Sequence, residues 1–176
     1  VNTSVDNESH YYRSWIDPLH RILSLMVNTK KVLVFASSAT VYGSNPELPI
    51  TERTCESPET SYDLAKVSCD NLIRYYNGAY GVNCVSLRFS NIYGPGQLNF
   101  TALIPEAIKS CILNKKLIMR SDGKAIRDFV YIDDIVDLYK LLSANLYLKP
   151  KKFSGQVFNV GTNKKRVITY CLKGLD

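Results

Sequence analysis

The 176-residue sequence contains no apolar run approaching the roughly 18 residues that cross a bilayer, so a membrane-spanning helix is excluded. Its five cysteines, Cys55, Cys69, Cys84, Cys111 and Cys171, form no C-x-x-C pair, and only two His accompany them, which excludes a zinc site. An odd, scattered set of cysteines without a secretion signal points to a reducing, cytoplasmic setting. There is no run of five basic residues and no nucleic-acid motif, so the net charge of +6 reads as a solvated surface rather than a nucleic-acid footprint. The same positive charge would favour a nucleotide diphosphate. No repeat and no low-complexity tract occurs. Val1 to Asn7 are polar and resemble neither a signal nor a transit peptide, and position 1 is not Met, so the expectation is a fragment of a longer chain.

What is present alternates between strand and helix after position 30. Lys31-Val32-Leu33-Val34-Phe35-Ala36 is a short apolar run ending in small residues, as a buried parallel strand would. From Tyr62 to about Tyr76, Ala65, Cys69, Leu72, Ile73 and Tyr76 fall at steps of three and four and form the stripe of an amphipathic helix. Asn83 to Phe89 reads as a second buried strand, broken by Gly94-Pro95-Gly96. A helix is expected from Thr101 to about Asn114, a short strand from Lys116 to Arg120, and a turn at Ser121-Asp122-Gly123-Lys124. Asp133 or Asp134 is placed to cap a helix running to about Leu146, and Gln156 to Val160 is a last strand. This alternation argues for an α/β fold with a largely parallel sheet. Residues 1–30 carry no clear strand pattern, and the tail from Lys164 to Asp176 stops where another helix is expected.

Tyr62-Asp63-Leu64-Ala65-Lys66 carries the chemistry. Residues four apart share a helix face, so phenol and ammonium point the same way, and a neighbouring cation would lower the phenol's pKa into a range useful for proton transfer. On its own the pattern is weak, because Tyr and Lys are common and more often two structural residues. It gains weight from Ser37-Ser38-Ala39-Thr40-Val41-Tyr42-Gly43 at the end of the first strand, because ligands of parallel sheets bind beyond the carboxyl ends of the strands. Three further blocks follow: Leu87 to Gly96, Asp122 to Asp134, and Val157-Phe158-Asn159-Val160-Gly161.

In this order and spacing, the blocks resemble the nucleotide-sugar epimerase/dehydratase branch of the extended short-chain dehydrogenase/reductase superfamily, over about residues 30 to 163. The resemblance implies a Rossmann-type α/β sheet, NAD as cofactor and a nucleotide-sugar substrate, and it admits a homodimer in a full-length parent. Tyr62 would be the base that takes the sugar hydroxyl proton, Lys66 would hold the nicotinamide ribose, and Ser38 would complete the hydroxyl-handling group. Thr40 would lie near the substrate, while Asn91 and Arg127 would hold the diphosphate, a task that suits the planar Arg fork. The alternative roles are structural: Ser38 satisfying backbone at a strand end, Arg127 pairing with Asp128, Asp133 and Asp134 capping a helix, and Tyr75, Tyr76 and Tyr139 packing in or beside a core.

Within the branch, Asn91 to Phe100, Ile104-Pro105 and Arg120 to Gly123 look most like CDP-glucose 4,6-dehydratases, whereas Ser38 to Gly43 matches UDP-glucose 4-epimerase. Dehydration needs an acid/base pair, which the resemblance places just after the strand-end Ser or Thr; here those positions are Ala39 and Thr40, and neither carries a proton in the usual range. The expected activity is therefore C4 epimerisation, with 4,6-dehydration second and a non-catalytic remnant third. The branch's G-x-x-G-x-x-G loop, which brings backbone N–H groups to a pyrophosphate, occurs nowhere, so the 176 residues alone should bind NAD poorly. Asp17-Pro18 resembles a landmark of the branch, but the stretch from Ser14 to Lys31 is too short for the usual helix and its Asn. The expected organisation is a partial domain over 1–163, with a catalytic half at about 31–100, a substrate-binding part at about 101–163, and a truncated tail at 164–176.

Overall fold

The computed structural model describes residues 6–44, 48–118, 122, 124, 126–164 and 166–167. The chain divides into two compact units, one of residues 1–89 and 137–160, the other of 90–136 and 161–176.

The first unit is built on a three-stranded sheet of order β1-β2-β6, with β1 at Val32–Ser38, β2 at Asn83–Phe89 and β6 at Val157–Val160. Both pairings are parallel: Val32 lies opposite Asn83, Ser38 opposite Phe89, and Phe89 opposite Val160. Cys84 to Phe89 are buried without interruption, the pattern of a central strand covered on both faces. The α/β class is present, and so are three of the four expected strands.

The connection from β1 to β2 is helix α3 (Ser61–Tyr80). Its start is written in the sequence: Thr60 accepts from the Asp63 N–H while the Asp63 carboxylate accepts from the Thr60 N–H, a capping box. Its end is Gly81 at φ 66°, a left-handed position that costs glycine little. The expected stripe is the buried face. Cys69, Ile73 and Tyr76 pack with Val82 and Cys84 and with Leu19, Leu23 and Met26, while Leu72 lies at the edge of the cluster. Each such aliphatic side chain contributes about 1.5–3 kcal/mol by leaving water.

Leu19, Leu23 and Met26 belong to α2 (Asp17–Met26), which has Pro18 in its first turn. The stretch read as too short for a helix thus holds one of ten residues. Before it come α1 (Asp6–Tyr11) and a π-helical turn at Tyr12–Ile16. The extra residue of a π turn shifts the apolar spacing out of phase, which hides this helical run from a 3.6-residue reading.

The second unit holds two short sheets. In one, β3 (Asn91–Tyr93) runs parallel to β5 (Phe129–Tyr131); in the other, β4 (Ile126–Arg127) is antiparallel to β7 (Arg166–Val167). It also contains α4 (Leu103–Ile112), inside the expected helix. The strand expected over Lys116 to Arg120 does not form at 116–118, where Ile118 is exposed and no neighbouring strand pairs; 119 and 120 lie outside the described residues, as do Ser121 and Gly123 of the expected turn. Helix α5 (Ile132–Leu148) begins in this unit and continues in the first, with α6 (Pro150–Phe153) after it. Asp133 and Asp134 fall inside the first turn of α5 rather than before it, so their negative charge interacts favourably with the positive end of the helix dipole instead of capping.

Among the described residues, no helix is long and apolar enough to cross a membrane, and no group of three or more His, Cys, Asp or Glu could hold a metal ion.

Candidate active site

At the carboxyl end of β1 the chain turns sharply into a 3-10 turn, Ala39–Tyr42. Ser38 is its N-cap: the Thr40 N–H donates to Ser38 Oγ at 3.3 Å, and the Ser38 and Thr40 hydroxyls lie 3.0 Å apart. The structural role considered for Ser38 is therefore real, and it leaves the hydroxyl free to serve Tyr62 as well. Gly43 closes the turn at φ 60°, with the Ser57 carbonyl packed where a Cβ would stand.

Tyr62 and Lys66 lie one turn apart on α3. Tyr62 is half-buried, and burial is the largest influence on its phenol, which rises above its ordinary pKa. A hydrogen bond with Ser38 pulls the other way, while Asp63 and Tyr11 add to the rise. The structure thus brings Ser38, Thr40, Tyr62 and Lys66 together in one unit, but the lowering expected from Lys66 is absent. The reason is the position of the ammonium. Lys66 is 2% exposed, its Nζ donates to the Ala36 carbonyl at 2.8 Å, and it stands 3.2 Å from the centroid of the Trp15 ring. The Phe35 and Tyr62 ring centroids are 5.0 and 5.6 Å away. Burial pushes Lys66 down to about 8, against the opposing influence of Cys69 and Asp70. The Tyr62 ring itself meets the edges of Tyr11 and Trp15 at centroid distances of 5.9 and 6.4 Å.

Asn91 and Arg127 belong to the second unit. Both are exposed. Asn91 Nδ2 donates to the Asp128 carbonyl at 3.1 Å, and Arg127 Nη1 donates to its neighbour Ile126 at 2.9 Å. The Asp128 carboxylate accepts from Thr162 Oγ1 and from the Asn163 N–H, so it is turned to that loop rather than to Arg127. The same unit carries an apolar groove of about 420 Å³ between Gly94-Pro95-Gly96 and α4, with Phe100, Ile104 and Ile108 among its walls.

Behind the Tyr62 site lies a buried ionic network that the sequence did not announce. Asp70, one further turn along α3, is wholly buried and accepts from Arg88 Nε of β2 at 2.8 Å and from Ser86. Arg88 also donates to the Tyr42 hydroxyl at 2.8 Å and pairs with Glu56, which takes Arg74 at 2.6 Å. Tyr42 in turn donates to Asn159 Oδ1 at 2.7 Å. Burial alone would weaken the Arg88 cation, but its bonds to Tyr42, Asp70 and Glu56 outweigh it and hold the group charged. The network ties the helix of Tyr62 and Lys66 to the turn that follows Ser38. Outside this network, the Ser37 hydroxyl, like that of Ser90, is buried with no hydrogen-bond partner among the described residues.

Comparison with known proteins agrees with this arrangement. The chain is 33% identical over 136 residues, 76% of its length, to a putative UDP-glucose 4-epimerase of Methanocaldococcus jannaschii. It is 32% identical over 178 residues, 92% of its length, to the UDP-glucose 4-epimerase of Lactobacillus helveticus. It matches these relatives over 42% and 53% of their own lengths, so it spans about half of each. Its fold superposes on the UDP-N-acetylglucosamine 4-epimerase of Methanobrevibacter ruminantium with a TM-score of 0.86 at 28% identity, covering 97% of this chain and 54% of that one. The dTDP-glucose 4,6-dehydratase of Bacillus anthracis, solved with NAD, gives 0.73 at 28% identity, covering 89% and 48%. The strand-end Ser38, the paired Tyr62 and Lys66 and the parallel sheet beneath them thus sit in a stretch, residues 1–161, that matches the family profile throughout: the chain belongs to the NAD dependent epimerase/dehydratase family.

Proposed function

We propose that this chain carries the catalytic part of a nucleotide-sugar 4-epimerase that uses NAD. The observation that carries the reading is the Ser38–Tyr62 hydroxyl pair at the end of β1, followed by Ala39 and Thr40, neither of which can serve as the acid or base that loss of water needs. In this reading residues 31–100 serve catalysis and 101–163 hold substrate.

The residues present fit the nicotinamide ribose. Strand alternation puts Ser37 on the face of β1 that carries Phe35, and the Phe35 ring borders Lys66. The unpartnered Ser37 hydroxyl and the Lys66 N–H groups are the polar partners that ribose hydroxyls need. When bound, NAD supplies the acceptor and then the donor of the C4 hydride. Tyr62 takes the proton of the C4 hydroxyl as the carbon is oxidised, and returns it when the ketone is reduced from its other face. Ser38 holds the sugar oxygen beside the phenol and is the group whose hydrogen bond lowers the phenol's pKa against burial. Asn91 and Arg127 would bind the diphosphate, and the apolar groove beside Pro95 and Ile104 has the size and lining to take a nucleobase.

A second reading, 4,6-dehydration, draws on the stretch Asn91 to Phe100 and on the dehydratases among the structural neighbours. The test is to incubate the full-length protein with UDP-glucose and CDP-glucose and assay both product types. The proposal expects the C4 epimer; a 4-keto-6-deoxy sugar formed at an enzymatic rate overturns it.

A further inference from the structure

The side chain nearest the Lys66 ammonium is that of Trp15. The ammonium donates a hydrogen bond to the Ala36 carbonyl, and its Nζ stands over the Trp15 ring at 3.2 Å from the centroid, with the Phe35 and Tyr62 rings farther off at 5.0 and 5.6 Å. A ribose cannot take an N–H group that an indole already covers. Trp15 sits on the π-helical turn between α1 and α2, the irregular point of an otherwise helical segment. Such turns are uncommon and concentrate where a helix does something besides pack. Trp15 is only half-buried and touches the edge of the core cluster rather than filling it, whereas Leu19, Leu23 and Met26 of the neighbouring α2 anchor that helix in the core. The indole can therefore leave Lys66 without dismantling the core.

We propose that Trp15 is a gate on Lys66. Its ring holds the ammonium in a closed pose, and a nicotinamide ribose reaches Lys66 only after the ring has turned away. This rests on the reading of Lys66 as the ribose-binding residue. A ligand that binds only the open form loses apparent affinity by the fraction of molecules that are open. The closed contact is a desolvated cation–π pair worth about 2 kcal/mol, so removing the ring should raise affinity about thirtyfold.

The test uses the full 176-residue chain as wild type, Trp15→Ala and Trp15→Phe, in two measurements. The first is acetylation by acetic anhydride, with the extent at Lys66 read by mass spectrometry and folding checked by circular dichroism. The second is calorimetric binding of nicotinamide mononucleotide, the part of the cofactor that would reach Lys66. The gate predicts that Lys66 is protected in the wild type and in Trp15→Phe, where a ring remains, and reactive in Trp15→Ala. It predicts about thirtyfold tighter mononucleotide binding by Trp15→Ala alone. Equal protection of Lys66 in all three proteins overturns the gate and leaves the epimerase reading standing. A Lys66 that opens in Trp15→Ala without any gain in mononucleotide affinity overturns the assignment of Lys66 to the ribose, and with it the gate's purpose. If Trp15→Ala does not fold, Trp15→Leu replaces it with the same expected outcomes.

Discussion

Replacing Lys66 by Met removes a buried ammonium while keeping most of the stem's volume, and the consequence for stability can be worked from the structure. Burial lowers Lys66 from an ordinary 10.5 to about 8, so between those values the unfolded chain holds a proton that the folded chain has released. Stability rises with pH wherever the unfolded state binds more protons, so the wild type gains stability as pH climbs through about 8. For this group alone the gain between pH 7 and pH 9 is about 1.3 kcal/mol, or about 1 kcal/mol once partial screening by water is allowed for. Cys69 and Cys84 act in the opposite direction. Burial holds both thiols up at about 12, so they lose stability above their ordinary value of 9.0. Urea unfolding of wild type and Lys66→Met at pH 7 and pH 9 cancels that shared contribution. The wild type should gain about 1 kcal/mol relative to the variant over the interval. A difference that stays flat or falls would show that Lys66 is not held as a desolvated cation, and the reasoning about its site would fail.

Four further outcomes follow from the same geometry. Arg88→Met leaves the wholly buried Asp70 carboxylate without its cation and should cost about 3–5 kcal/mol in chemical denaturation, far more than Arg74→Met at the exposed end of the network. Gly43→Ala drives a Cβ into the Ser57 carbonyl at a left-handed backbone position and should destabilise by about 2 kcal/mol in the same assay. In the full-length protein, Tyr62→Phe should lower kcat by about a thousandfold while the thermal midpoint stays within a few degrees of wild type; an unchanged kcat removes Tyr62 from the chemistry. The 176 residues alone contain no glycine-rich phosphate loop, so calorimetry should find no NAD binding at roughly micromolar concentration.

The sheet and its crossover helix were legible because their signals are local. The apolar runs at 32–36 and 83–89 are bounded by turn residues, and the stripe from Ala65 to Tyr76 has one period throughout. Ser38, Tyr62 and Lys66 could be named because a strand end and a helix turn fix where such residues stand. The Asp70–Arg88–Glu56 network could not, since its members are distant in sequence and meet only when α3 docks on β2. A buried Asp in the apolar stripe, at the step after Lys66, was the available clue. Trp15 was hidden for another reason: the π turn breaks the helical period where its ring is aimed at Lys66. The expected effect of Lys66 on Tyr62 took only spacing into account, and the carbonyl of Ala36 and the Trp15 ring decide where the ammonium lies.

The most direct test of the central claim, that the Ser38–Tyr62 pair runs redox chemistry at C4 and nothing at C5, is to turn over UDP-glucose with the full-length protein in deuterium oxide and locate the label by NMR. Epimerisation returns the same hydrogen to C4 and leaves C5 untouched, so the product should be the C4 epimer with no deuterium on either carbon. Deuterium at C5, in a 4-keto-6-deoxy product, would mean that the C5 proton had been removed and exchanged, and would contradict the account.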